Sequence, residues 1–455
     1  MLHGRINELR YLNNFYEKSG SQMVVVYGQK GVGKTRLLKE FTKDKPGFFY
    51  QCRECSEREQ QYQWGQELGN QHVRVLRFPD FPELLDASCK ESDIKQVLVI
   101  DEFQYIIKNS STFMNALVAF VNNTWNKREV LVVLLSSSTS WVENSMVKKI
   151  GEAAYELSGL LKIRQLDFFQ IRDAFPGYSM EDAVMLYGIL GGVPLLWRYM
   201  NPKYSLEKNI CEQLLADYGG LRYECERLLT EELRELSVYN SILSALACGH
   251  HKLNDIYQHT GFSRAKISVY LKNLMELELI EKVFSYDTDG RENVQKGVYR
   301  ISNHFVHFYF TYIYANRNML DLLEPEQFYR TAIKPYLRYY SAPYFKQVCL
   351  DYLLRRGQKE DLPIKLTQYG EWVGKAGNID VILQDESDET LIGCCNFEKP
   401  MMTYEDYEWL IFLASKAKIR TDHIWLFSSG RFDEKLYLEE KVKKNLKLIS
   451  IQDIK

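Results

Sequence analysis

Gly28-Gln-Lys-Gly-Val-Gly33-Lys34-Thr35 follows directly on the apolar run Met23-Val-Val-Val-Tyr27 and opens a stretch with Leu37, Leu38 and Phe41 at helical spacing. Strand, glycine-rich turn and helix start stand here in the order G-x-x-x-x-G-K-[ST], which wraps backbone N–H groups around a string of phosphates. Gly28, Gly31, Val32 and Gly33 form the cradle, and the helix N-terminus adds a partial positive charge. Lys34 is expected to reach the β- and γ-phosphates of ATP, and Thr35 to offer its hydroxyl to magnesium. An accidental glycine-rich turn is the alternative, and the flanking strand and helix weigh against it.

The second half of such a site is Val97-Leu-Val-Ile100-Asp101-Glu102, an apolar strand that delivers two carboxylates at its C-terminal end. Ligands of open α/β sheets bind at that end. Asp101 is expected to hold magnesium through its water shell, and Glu102 to polarise an attacking water, the task that separates hydrolysis from binding. A further apolar run, Val130–Leu135, leads into Ser136-Ser-Ser-Thr139, where a hydroxyl could sense the γ-phosphate or cap a helix.

The 455 residues exceed what one core can hold, and the usual domain size suggests roughly three units. With 45% hydrophobic and 26% charged residues the composition is that of a globular protein, and a net charge of −2 gives no global pull towards nucleic acid or anionic membrane. No apolar run of membrane-spanning length occurs, and the N-terminus is polar, so a cytoplasmic location without membrane attachment is expected. The nine cysteines fit free buried thiols, and Cys52-Arg-Glu-Cys55 lacks the second pair that a zinc site needs.

Short apolar runs at 23–27, 48–50, 73–76, 97–100 and 130–135 predict buried parallel strands, giving an α/β core over 1–150. Residues 151–236 turn to helical periodicity and predict a helical lid. Over 237–320, two helices precede Leu279–Phe284, a polar turn and Gly297–Ile301, the order of a winged helix. Residues 321–455 predict a third α/β domain, with a helix from about 341 and strands near 378–383, 390–393 and 424–427. The aromatic runs at 305–314 and 336–344 are expected in an interdomain core rather than stacked on bases.

Together with Gly4-Arg5-Ile-Asn-Glu8-Leu9 and Gly191-Gly-Val-Pro194, these motifs resemble the archaeal-type ATPases related to AAA+ and STAND proteins, over nearly the whole chain. The resemblance implies that Gly4 and Arg5 lie near the adenine and that Pro194 closes over the nucleotide. The family commonly has Gly-Ser after the sensing strand, whereas Ser136-Ser137 stands here, which makes Ser137 the candidate sensor. No arginine finger can be named. The resemblance further implies a winged helix, carried by Tyr239–Leu243 and Tyr299–Phe305, and a C-terminal restriction-endonuclease-like fold.

The reading is an ATPase whose nucleotide state moves the lid and winged helix. Its rival is a nucleotide-loaded scaffold or DNA-binding regulator with little turnover, and an ATP-regulated nuclease is a third possibility. Helix 264–273 carries Arg264, Lys266 and Lys272 and no acid, a candidate contact for duplex DNA, with protein contact as the alternative; Ile267, Leu271 and Leu274 mark its core face. A protein partner and self-assembly are both compatible with the resemblance, but no interface is legible. Active nucleases of the C-terminal fold use an Asp on one strand and (Asp/Glu)-x-Lys on the next. By motif Asp380 supplies the first, while Cys394 and Asn396 stand at the other two positions, and Lys346 is placed where a helical acid is common. Glu398 and Lys399 are adjacent and would not share a strand face. A lone carboxylate is a poor magnesium site, Lys346 is placed to pair with Asp380, and the domain is expected not to cut nucleic acid.

Overall fold

The computed structural model describes residues 4–89, 92–110, 112–122, 129–286 and 297–454. The chain forms two compact units: Met1–Leu166 joined by Val193–Leu195, and Asp167–Gly192 joined by Leu196–Lys455.

In the first unit, strands β1 (Gln22–Tyr27), β2 (Gly47–Gln51), β3 (Gln96–Asp101), β4 (Val130–Ser136) and β5 (Gly159–Lys162) form one sheet in the order β2-β3-β4-β1-β5. All neighbours run parallel. The central strands are apolar at successive positions because both faces are covered. One face packs Val25, Leu98, Val132 and Leu134 against Trp64, Phe81 and Phe113, and the other packs Val24, Val99 and Val133 against Leu12, Leu37 and Phe41. β4 lies between the strand that feeds the glycine loop and the strand that ends in Asp101, so three strand ends converge on one edge.

Two expectations fail here. Residues 73–76 form no strand: Val73 and Val75 pack on the core, but Leu76 is exposed and its amide is capped by Glu83 Oε1 at 2.6 Å. The remaining strand is β5, inside the segment expected to be helical, and it pairs Gly159–Lys162 with Val24–Tyr27. Four residues are too few to reveal a periodicity. What admits the strand is Gly159, where a Cβ would come within 2.6 Å of the Tyr11 hydroxyl and 2.8 Å of the Phe15 ring.

In the second unit, helices Met180–Leu190, Leu206–Ile210 and Glu224–Glu232 precede a helix-turn-helix built from Leu236–Ala247, Leu253–Thr260 and Arg264–Glu276. Within this stretch of helical periodicity the chain breaks around Gly219-Gly220, where a Cβ on Gly220 would meet the Tyr199 ring at 2.2 Å. Strands β6 (Ile280–Val283) and β7 (Val298–Ile301) pair antiparallel as the wing; the polar turn between them lies largely outside the described residues. Phe305, Phe308, Tyr309, Phe310, Tyr312, Tyr340 and Tyr344 are buried, as expected of a core, although Tyr336 and Tyr339 are exposed.

After helix Leu337–Gln358 come β8 (Gln368–Val373), β9 (Asn378–Gln384), β10 (Thr390–Asn396), β11 (Met401–Met402), β12 (His423–Ser428), β13 (Arg431–Phe432) and β14 (Leu446–Ser450). The sheet β14-β12-β10-β9-β8 is mixed: β8, β9 and β10 form an antiparallel meander, and β12 and β14 add in parallel. β8 escapes sequence inspection because Gln-Tyr-Gly-Glu-Trp-Val holds one buried residue, Trp372. No helix among the described residues is long and apolar enough to cross a membrane.

Candidate active site

The glycine loop leaves β1 with Gly28 N donating to Ser136 O at 3.2 Å, which ties the loop to the end of β4. Gly28 also passes so near Ile163 that a Cβ would lie 2.3 Å from its carbonyl oxygen. Gly31, at φ +84, has Val193 and Leu195 against it, each 3.0 Å from where a Cβ would be. Leu195 N donates to Gly31 O at 3.2 Å, so the segment containing Pro194 is bound to the loop itself. Lys34, at the start of helix Lys34–Phe41, is buried, and its ammonium donates to Gly28 O at 2.7 Å and Gln29 O at 3.0 Å. Burial pushes its pKa down, opposed by the charges of Glu102 and Asp101.

Thr35 Oγ1 donates to Asp101 Oδ2 at 3.4 Å. A hydroxyl and a carboxylate on separate elements thus meet, as a magnesium bridging to phosphate would require. Burial, then the Glu102 charge, pushes Asp101 up to about 6. The donor set fits magnesium, whose positive charge would favour the ionised carboxylate.

Glu102 leaves the strand in a left-handed conformation, φ +54, and its carboxylate is fixed from two sides. Oε2 accepts from Ser137 N at 3.0 Å, Ser137 Oγ at 2.7 Å and Gln104 Nε2 at 2.5 Å. Ser137, expected to sense phosphate, is therefore a direct partner of the expected base. Gln104 was missed from sequence, where its place two residues beyond Glu102 is the only signal. Gln104 Oε1 is buried without a hydrogen-bond partner.

Arg5 is buried, and its guanidinium donates to Val32 O at 2.9 Å, Arg164 O at 2.7 Å and Glu8 Oε1 at 2.9 Å. These bonds buttress the loop from behind. They give Arg5 a structural task beside the adenine proximity that the resemblance implies.

Of the DNA-contact candidates in the second unit, all three are exposed on helix Arg264–Glu276, whose Ile267, Leu271 and Leu274 are buried as expected. Arg264 bonds Asn254 Oδ1 at 2.5 Å and lies over the Tyr257 ring at 4.2 Å. Lys266 lies over Phe262 at 5.2 Å, and Lys272 is 3.8 Å from Glu276.

In the C-terminal sheet, Asp380 Oδ2 accepts from Cys395 N at 2.9 Å and Asp380 Oδ1 lies 3.8 Å from Lys346 Nζ. Glu371, on the unrecognised β8, bonds Lys346 and Arg300 at once. Lys399 pairs with Asp406 at 2.8 Å. Among the described residues no group of three or more His, Cys, Asp or Glu could hold a metal, and all nine cysteines are free thiols.

Residues 2–199 match the family described as "ATPase domain predominantly from Archaea", residues 240–282 the "bacterial regulatory protein, arsR family" helix-turn-helix, and residues 309–408 a family of archaeal and bacterial proteins of unknown function. A protein of Methanocaldococcus jannaschii, itself uncharacterized, is 26% identical over 408 residues, covering 86% of this chain and 85% of its own. The Walker-type ATPase of Pyrococcus abyssi aligns over 68% of this chain and 96% of its own at 15% identity and a TM-score of 0.47. The ORC2 protein of Aeropyrum pernix, solved as ADPNP–ADP complexes, aligns over 70% and 95% at 12% identity and a TM-score of 0.42. Residues 2–199 thus match an ATPase domain family found predominantly in Archaea and residues 240–282 a helix-turn-helix family, on a chain whose fold is a parallel P-loop sheet followed by a winged helix.

Proposed function

We propose that the chain binds ATP with magnesium in the cytoplasm and hydrolyses it, and that turnover acts as a conformational switch on the winged helix. The observation that carries this reading is the fixed carboxylate of Glu102. Binding needs only the loop, Lys34 and Thr35, whereas a carboxylate oriented by Ser137 and Gln104 at the same strand ends suits activation of a water. In this mechanism the amides of Gly31, Val32 and Gly33 and the ammonium of Lys34 bind the phosphates. Thr35 and Asp101 would hold magnesium, which offsets phosphate charge during transfer. Glu102 takes up the proton of the attacking water, and Ser137 keeps it aimed.

The link to the winged helix rests on the three residues of Val193–Leu195. They pack on the loop in the first unit while the chain on either side belongs to the second. A change at Gly31 therefore acts on both ends of that segment. Arg264, Lys266 and Lys272 present the charge with which the second unit would meet duplex DNA. A cryptic nuclease gains no support, since Lys346, the Cys394 thiol and the Cys395 amide surround Asp380, and the second acid of the cluster, Glu371, is paired with Lys346 and Arg300.

Steady-state release of phosphate from ATP in magnesium, with and without duplex DNA, tests the reading. Turnover that Glu102→Gln removes supports it. Tight ATP binding without turnover in either condition would leave the chain a nucleotide-loaded scaffold.

A further inference from the structure

The pocket around Asp380 is filled from outside its own sheet. Arg300 belongs to β7, where its cross-strand neighbour is Glu281, yet its guanidinium bonds Glu371 of β8. Lys346, from helix Leu337–Gln358, bonds the same glutamate and lies 3.8 Å from Asp380. Two cations and two carboxylates thus form one part-buried cluster, with Lys346 between the acids. The contact extends beyond charge. Val373 N, on the edge strand β8, donates to Ser285 Oγ at 3.1 Å, just past the end of β6. The Tyr286 hydroxyl bonds Gln384, and its ring packs so closely on Gly370 that a Cβ there would lie 2.8 Å from it. Among the described residues, β8 is an edge whose second side no strand of the sheet covers, and the wing supplies what covers it.

We propose that the Lys346–Glu371–Asp380 pocket is an intramolecular receptor for the wing, with Arg300 as the inserted residue and Tyr286 as the apolar anchor. The winged helix is then held by its wing and meets a partner through helix Arg264–Glu276. The C-terminal domain serves as the wing's clasp. Arg300 is withheld from phosphates, because its guanidinium is bonded to Glu371 in a part-buried place, and withdrawing it would leave that carboxylate with Lys346 alone.

Hydrogen exchange of the full chain tests the clasp. Glu371→Gln keeps the size of the side chain and removes its charge, while Tyr286→Ala removes the anchor and leaves every charge in place. In both variants the amides of β7 and of β8 are expected to exchange about tenfold faster, with β1 unchanged as the internal control. Parent-like protection of β7 in Tyr286→Ala overturns the proposal, and so does loosening of β8 alone in Glu371→Gln, since Glu371 would then serve only its own sheet. Should Glu371→Gln fail to fold, Tyr286→Ala alone decides.

Discussion

Each of the two five-stranded sheets carries an aspartate near one end of a strand, buried in the first and part-buried in the second, and the company of the two is opposite. Asp101 stands by Thr35 and next to Glu102, with Lys34 held by loop carbonyls nearby. Acid outweighs base there, and burial raises Asp101 to about 6. Asp380 faces Lys346, the Cys394 thiol and the Cys395 amide, and the acid that joins it, Glu371, is taken by Lys346 and Arg300. The first pocket keeps its carboxylates short of cations, which leaves room for magnesium. In the second the cations are side chains. What a pocket can do follows from whether its charge is balanced by the chain or left for a ligand.

The sharpest way to break this contrast is at Glu102. Glu102→Gln is expected to cut ATP hydrolysis by about 10²–10⁴ while leaving ATP binding intact, as measured by phosphate release and by fluorescent-nucleotide titration. Lys34→Ala should instead weaken ATP binding by about tenfold to a hundredfold, the worth of a charge-assisted hydrogen bond. Parent-rate hydrolysis by Glu102→Gln would remove the assignment of the base.

Asp101→Asn separates function from stability. With the folded pKa raised to about 6, the folded protein keeps a proton that the unfolded chain releases near pH 4. The contribution of this group to stability therefore falls as pH rises from about 4 to about 6 and stays low above. In the absence of nucleotide and metal, Asp101→Asn should stabilise the first unit at pH 7 by up to about 3 kcal/mol, read from the urea midpoint, and lose magnesium-dependent hydrolysis. Destabilisation by that change would mean that the chain already offsets the burial of the carboxylate.

A smaller effect is expected at the winged helix. Arg264→Glu with Lys266→Glu should weaken duplex DNA binding and reduce its salt slope by about 0.9 for each phosphate that the helix no longer neutralises. Unchanged affinity would reject helix Arg264–Glu276 as the DNA-binding element. The smallest expected effect is none: incubation of the parent with plasmid and single-stranded DNA in magnesium or manganese should yield no cleavage. Cleavage that disappears in Asp380→Ala would erase the contrast between the two pockets.

Much of the first site is legible in sequence because its parts are local. Gly28 to Thr35 is one turn and one helix start, and Val97 to Glu102 is one strand and its end, so spacing alone places the groups. The second pocket is legible only in part. Asp380 and the replaced positions at Cys394 and Asn396 follow a strand motif, but Glu371 lies on a strand with one buried residue and Arg300 arrives from the wing. No periodicity links those two residues.

The phosphate loop, the strand ending in two acids, the two wing strands and the core face of helix Arg264–Glu276 are written into the amino-acid order, because each follows from a short-range pattern of apolar, glycine and charged residues. The fifth strand of the first sheet, the clamp of Arg5 on the loop carbonyls, the hold of Ser137 and Gln104 on Glu102, and the charge cluster at Glu371 emerge with the folded chain and not before. Each of these depends on chain crossings that bring distant backbone or side-chain atoms within hydrogen-bond reach, and the energy of such a contact is set by the burial that the whole fold provides.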